Sequence, residues 1–304
     1  MTVLPDAVRT EPVTGHLDLR LTLAPLRRGS GDPTMTLAPG VCWRATHTPA
    51  GPATIHLRHR ADRLEVEAWG PGAGWAADQA PELVGLRDDA VGFDPSRHPV
   101  VAALHHRLPG VRITRSRAVC EAVLPSILEQ KVTGIEARRS FRALVRWLGE
   151  PAPGPPGLTL PPTAAALAAT PTWTFHRAGV ERKRADTITR AMHRRSRLEE
   201  ASSLPVVDAY RRLRAVAGIG AWTAAEVALV ALGDRDAVSV GDFHLPNQVA
   251  HALAGRARGT DEEMLELLEP WAGHRARVLR LIVAAGIRAP RFGPRAPLRS
   301  IRDL

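Results

Sequence analysis

Two glycines flanking one aliphatic residue, in Val216-Ala217-Gly218-Ile219-Gly220, constrain this 304-residue chain more than any other feature. Glycine permits positive φ and close backbone approach, so this triplet between two apolar-periodic segments predicts a tight hairpin. Before it, Asp208 to Val216 offers an Asp suited to a helix N-cap, with Leu213 and Val216 at helical spacing. After it, Trp222 to Leu232 runs through Ala and Val to Gly233, a helix stop. The expected unit is helix, hairpin, helix, with Ile219 anchoring the turn in the core. The backbone N–H groups of Gly218, Gly220 and the next helix's first turn would then face outward without acceptors, which suits a phosphate oxygen. Taken alone, the glycines fit a plain turn between packed helices equally well.

A carboxylate at a defined distance adds a second element. Asp242 stands about twenty residues beyond Trp222, and Gly241-Asp242 precedes the helix-like stretch Phe243 to Leu253. Asp is a favoured N-cap there. Capping and chemistry are compatible, because a cap holds the carboxylate in one place.

The hairpin and the acid together resemble the helix-hairpin-helix DNA glycosylase superfamily, in particular its 3-methyladenine DNA glycosylase II branch. Members carry a G-[IV]-G-x-[WK]-T-A hairpin and an essential Asp. Gly218-Ile219-Gly220-Ala221-Trp222-Thr223-Ala224 is similar to the former, and Asp242 stands at the acid position. The likeness extends through Ile127-Leu128-Glu129-Gln130-Lys131-Val132-Thr133-Gly134 and Gly179-Val180-Glu181-Arg182-Lys183-Arg184-Ala185, covering most of residues 95 to 287. The resemblance implies a base-excision enzyme. It would bind double-stranded DNA containing damaged bases, flip out an alkylated purine such as 3-methyladenine, and hydrolyse its N-glycosidic bond.

That reaction builds positive charge on the deoxyribose, so a fixed carboxylate can stabilise an oxocarbenium-like transition state or orient the attacking water. Asp242 is the catalytic candidate. An alkylated purine is already cationic and a good leaving group, and aromatic faces select it by cation–π stacking. Trp222 and Trp271 match aromatic pocket positions of the branch; the competing reading is that both pack the core. Glu226 stands one turn after Trp222, where the branch can show an aromatic. It is either a second pocket carboxylate or a surface acid.

Superfamily members that also cut the backbone place a Schiff-base lysine at the position of Trp222, which cannot form an imine. Of the 41 Lys and Arg residues only Lys131 and Lys183 are lysines. Lys183 lies in the run Arg182-Lys183-Arg184, expected as a solvated or phosphate-facing helix surface. Lys131 stands where the branch often carries an apolar wedge for the gap left by the flipped base, and its charged tip suits a phosphate better. Gln130 is the next candidate for that gap, and both residues also fit the exposed end of a helix. The DNA-binding set is thus Gly218, Ile219, Gly220, Ala221, Thr223, Gln130 and Lys131. A module that binds DNA without releasing a base, and a lyase using Lys131, remain as alternatives.

Composition agrees with a polyanionic partner: the formal net charge is +10 and the sequence pI about 11.1. Such basicity also fits a membrane surface. Cys42 and Cys120 alone cannot form a disulfide framework or a four-cysteine iron–sulfur cluster. The twelve histidines include His105-His106 and the pair His56 and His59 but no His-Glu-x-x-His, so neither a metal nor a cofactor is expected. No run of 18 apolar residues and no signal pattern appears, which predicts a cytoplasmic, chromosome-associated protein; a monomer is expected.

The expected fold class is α+β: an N-terminal antiparallel β domain over residues 1–94, then an all-α helix-hairpin-helix body over 95–287 in two lobes around a cleft. Leu17, Leu19, Leu21 and Leu23 alternate with other residues, as do Ile55 and Leu57, then Leu64 and Val66 across Arg60-Ala61-Asp62-Arg63. These read as strands, the latter two joined as a hairpin. Turn residues in Trp69-Gly70-Pro71-Gly72-Ala73-Gly74-Trp75 break the pattern, with both tryptophans expected to pack. Glu150 to Thr163 reads as a proline-stiffened loop, and 288–304 as a flexible basic arm adding salt-dependent DNA affinity.

Overall fold

The computed structural model describes residues 3–155 and 157–290, so most of the expected basic arm lies outside the described residues. The chain opens with β1 (Ala7–Pro12), α1 (Leu19–Leu23), β2 (Met35–Ala38), β3 (Val41–Thr48), β4 (Gly51–Arg60), β5 (Arg63–Trp69) and α2 (Ala73–Leu83). The strands form one antiparallel sheet in the order β1-β5-β4-β3-β2. The β4–β5 hairpin closes with Arg60 opposite Arg63, the turn expected from the alternation, and Ala61 takes a φ of +51° there.

Both sheet faces are covered. Ala53, Ile55 and Leu57 of β4 and Leu64, Val66 and Ala68 of β5 bury against the small-residue face of α2. On the other face Trp43 stacks on His56 at 3.8 Å and on Trp69 at 5.3 Å. The proline-rich loop closes over these rings: Pro151 bridges to Thr159, and a Cβ on Gly154 would lie 2.8 Å from the Trp69 indole. A segment read as a stiff connector is therefore a cover for the second sheet face, and glycine is needed where its backbone meets the ring.

The stretch Leu17 to Leu23 departs from the strand expectation. It forms α1, with the Asp18 carboxylate accepting from the Leu21 N–H at 2.8 Å as N-cap. Leu at every second position also places Leu19 and Leu23 four apart, and these two are the fully buried leucines. An Asp cap converts an ambiguous period into a helix.

The helical body comprises α3 (Pro99–Arg107), α4 (Val119–Leu128), α5 (Gly134–Leu148), α6 (Ala164–Ala169), α7 (Thr172–Arg177), α8 (Arg182–His193), α9 (Arg195–Glu199), α10 (Val206–Arg214), α11 (Ala221–Val227), α12 (Leu245–Ala254), α13 (Asp261–Leu268) and α14 (Arg275–Ala284). Its α+β class matches the sequence expectation. Two helical cores form. One gathers α4 to α11 around residues such as Phe175, Ile188, Leu213 and Val227. The other combines α3 with α12 to α14 around Val101, Val249, Met264 and Ile282, so the chain starts this core, leaves it and returns.

Ion pairs tie these bodies together. Asp88 accepts two 2.7 Å bonds from Arg277 of α14, with both side chains under a tenth exposed. Glu82 of α2 accepts from Arg117 at 2.6 and 2.9 Å. Burial raises the Glu82 carboxyl, but Arg117, Arg115 and Arg87 outweigh it, holding the acid below the ordinary carboxylate range. A depressed acid contributes stability at neutral pH that is lost as pH falls through its folded pKa. Glu82→Gln should thus lower the unfolding free energy at pH 7 by roughly 1.5–3 kcal/mol, the usual worth of hydrogen bonds to a charged group. Denaturant titrations should show the wild-type advantage vanishing at acid pH below the ordinary carboxylate range.

Candidate active site at the seam of two helical cores

The hairpin has the expected form, with local differences. Helix α10 begins two residues before Asp208, behind Pro205, and Asp208 pairs with Arg211 at 2.7 Å instead of capping. Gly218 takes φ +100°, and a Cβ there would sit 2.3 Å from Thr187 Oγ1, so both conformation and space demand glycine. Ile219 is buried in the first helical core. Gly220 and Ala221 are exposed, and nothing lies within 4 Å of a Cβ built on Gly220. The N–H of Ala224 is bonded to Gly220 O at 3.0 Å. The N–H groups of the three residues before it have no acceptor within the helix. Beyond α11 the helix widens into a π-turn over Ala228–Leu232 and stops at Gly233, φ +69°.

Gln130 braces this turn. Its side-chain amide donates to Gly218 O at 3.0 Å and to Thr223 Oγ1 at 2.8 Å. The amide expected as a possible gap-filler is thus committed to holding the hairpin, and Thr223 is buried as its acceptor. Lys131 is exposed, in a left-handed conformation at φ +55°. Such a backbone is uncommon for a residue with a Cβ. Lys183 and Arg182 are exposed, whereas Arg184 departs from the expected solvated run. Its buried guanidinium donates to Leu128 O at 2.8 Å, satisfying a carbonyl at the end of α4.

Asp242 lies where the two helical cores meet. One carboxylate oxygen accepts from the His244 N–H at 2.7 Å and the Leu245 N–H at 2.8 Å, opening α12 of the second core. The other accepts from the indole N–H of Trp222 at 3.0 Å, on α11 of the first. The helix starts at Leu245, two residues later than the sequence suggests, because Pro246 sits in its first turn. Backbone and indole thus fix the carboxylate from both sides. The half-buried Trp222 is the residue that carries this link.

Glu226 follows one turn along α11. Ser239, three residues before Asp242, donates its hydroxyl to Glu226 Oε1. Burial pushes the Glu226 carboxyl up; Ser239 and Arg28 oppose this, and Glu129 and Asp242 add to it. Part of its surface stays open. Arg280 of α14 is buried nearby, brought down to about 10 by burial, and donates to Leu21 O at 2.6 Å. Arg28 and Glu129 face each other at 3.4 Å.

Trp271 does not join this group. It is 3% exposed inside the second helical core, and its indole N–H donates to Asp94 O at 2.8 Å. The turn Glu269–Trp271 directs the ring inward, so no face is left for a ligand. Sequence reasoning missed Phe243, which is 84% exposed beside Asp242 with its ring edge-on to His244 at 4.9 Å. An aromatic directly after the acid was the available signal. Ser239 and Arg280 carried no sequence signal, because only the fold brings them to α11. Among the described residues no cluster of three or more His, Cys, Asp or Glu could hold a metal, and no helix is long and apolar enough to cross a membrane.

No protein-family profile and no curated protein matches the chain by sequence. Solved structures do match in shape. A 3-methyladenine DNA glycosylase from Archaeoglobus fulgidus is 19% identical over 90% of this chain and 97% of its own, with a TM-score of 0.75. MBOgg1 bound to a low-affinity DNA ligand is 16% identical over 92% and 95%, with a TM-score of 0.73. A Clostridium acetobutylicum 8-oxoguanine glycosylase/lyase, in complex with double-stranded DNA, is 13% identical over 93% and 99%, with a TM-score of 0.68. The chain has the fold of the helix-hairpin-helix DNA glycosylases, as the hairpin and acid motifs implied.

Proposed function

We propose that the protein is a monofunctional DNA glycosylase of base excision repair, which flips out alkylated purines such as 3-methyladenine and hydrolyses their N-glycosidic bond. The observation that carries this reading is Asp242 held by two backbone N–H groups and the Trp222 indole at the seam of the helical cores. A carboxylate already oriented needs no rearrangement as charge develops on the sugar, which is where electrostatic catalysis gains most. In this mechanism the damaged base leaves with the electrons of the C1′–N bond, Asp242 stabilises the oxocarbenium-like sugar, and water attacks C1′. The Trp222 ring offers a face to a cationic base, worth about 0.5–2 kcal/mol per favourable contact. With tryptophan at the hairpin position there is no amine to form an imine, which favours base removal without strand cleavage.

The hairpin grips the backbone. Exposed Arg190 and Arg194 donate to Ala217 O and Ala215 O at 3.3 Å each, setting two cations beside the free N–H groups. Phosphates gain from both, in a salt-dependent manner. Lys131, exposed at the turn after α4, adds a further cation on this side.

Two measurements test the reading. Duplexes carrying single defined lesions are incubated with protein and then treated with alkali to reveal abasic sites. Asp242→Asn keeps a good cap but removes the anion, so it should fold while base release drops by at least about 100-fold. Undiminished release by this variant would refute the assignment. The glycines separate grip from stability: Gly220→Ala, at the N-cap of α11 with open space around its Cβ, should cost no more than about 1 kcal/mol, yet weaken duplex binding in anisotropy titrations. Gly218→Ala should instead destabilise the fold by roughly 1–3 kcal/mol through overpacking against Thr187.

A further inference from the structure

The half-buried acid on the same helix as Trp222 has no part in the mechanism above. Glu226 sits one turn beyond Trp222, and Ser239, on the short segment that leads to Asp242, binds one of its two oxygens. Four charged groups face it: Glu129 from the end of α4, Arg28 from the segment after α1, Arg280 from α14, and Asp242 itself. Yet part of its surface remains open. A structural acid in such a place would be expected to form a close salt bridge. Arg28 is instead engaged with Glu129 at 3.4 Å, and a nitrogen of Arg280 with Leu21 O at 2.6 Å.

We propose that Glu226 is a second catalytic carboxyl of this site, acting as a general acid that protonates an uncharged damaged purine as it leaves. This rests on the base-excision reading and assigns one residue of this chain to the release of neutral bases, such as deaminated purines, as distinct from cationic, N-alkylated ones. The chemistry separates the two classes. A cationic base departs as a neutral molecule and needs no proton; a neutral base would depart as an anion unless one is delivered.

In the step proposed, the C1′–N9 bond breaks and its electron pair moves onto the purine. The Glu226 O–H bond breaks and its proton goes to a ring nitrogen of the base, leaving Glu226 as carboxylate. Water adds its oxygen to C1′ and gives a proton to Asp242, which returns it through solvent to Glu226. The products are an abasic sugar and a neutral free base. Ser239 fixes one oxygen, so the other is the one presented to the base. Burial, with Glu129 and Asp242 adding to it against Ser239 and Arg28, keeps the proton on Glu226 above the ordinary carboxylate range, where a general acid at neutral pH is most useful.

Two duplexes are compared under single-turnover conditions across pH, one with hypoxanthine as the neutral lesion and one with 7-methylguanine as the cationic lesion. Wild type should release both, with hypoxanthine release falling as pH rises through the Glu226 titration. Glu226→Gln, close in shape but unable to give a proton, should lose about 100-fold on hypoxanthine, the lower end for general acid catalysis, with no remaining pH slope of that origin. Its 7-methylguanine release should be unchanged. Ser239→Ala should weaken hypoxanthine release selectively, and it serves if Glu226→Gln fails to fold. Equal losses on both lesions, or an unaltered hypoxanthine profile, would overturn the general-acid role. Wild-type release of 7-methylguanine without hypoxanthine would also overturn it while leaving base excision standing; release from no lesion would overturn base excision itself.

Discussion

The hydrogen bond from Trp222 to Asp242 is the contact on which the candidate site depends. It joins a side chain rooted in the core of α4 to α11 to one rooted in the core of α3 and α12 to α14. A carboxylate alone at the start of α12 would be held by two backbone N–H groups on one oxygen only. The indole takes the other, so the carboxylate cannot turn without breaking a bond to one core or the other. Net stabilisation from such a bond is modest, about 1.5–3 kcal/mol for a charged acceptor. Its larger effect is geometric, since catalysis by a fixed charge depends on orientation that need not be created during the reaction.

The surrounding architecture serves that orientation. Gln130 pins the hairpin to the end of α4, and Arg184 satisfies a carbonyl at the same helix end. Arg277 with Asp88, and Arg117 with Glu82, tie the helical cores to the N-terminal sheet and α2. Buried or half-buried charges are costly unless paired, and their loss leaves the partner uncompensated. Arginine serves well in these positions because its planar fork can donate twice, as Arg277 and Arg117 do. The basic composition is therefore only partly a solvated surface; several arginines are internal fasteners.

Much of the architecture is legible in the sequence. The helix-hairpin-helix unit follows from glycines between apolar-periodic segments, and Gly218 indeed takes a conformation closed to other residues. The β4–β5 hairpin was visible because alternation and turn residues agreed. Alternation misled at Leu17 to Leu23, where spacings of two and four coincide and the Asp18 cap decided for helix. Strands β1 to β3 were not legible individually; Val41 to Thr48 mixes buried and half-buried residues without clean alternation, since both sheet faces are covered. The proline loop read as a connector because its packing partner, Trp69, lies far away in sequence.

At the candidate site the division has one physical cause. The sequence by itself determined the local elements: a hairpin requiring glycine, an acid before a helix, and tryptophan where an amine is absent. These follow from backbone conformation and short-range spacing, which a linear chain records. Only the tertiary structure decided which side chains face one another across the seam. It turned Trp271 into the core, committed Gln130 to the hairpin, and brought Ser239, Arg28, Glu129 and Arg280 around Glu226. Those relations depend on how separate helices pack, and packing joins residues up to 259 positions apart, as Leu21 and Arg280 are. No local pattern encodes such distances.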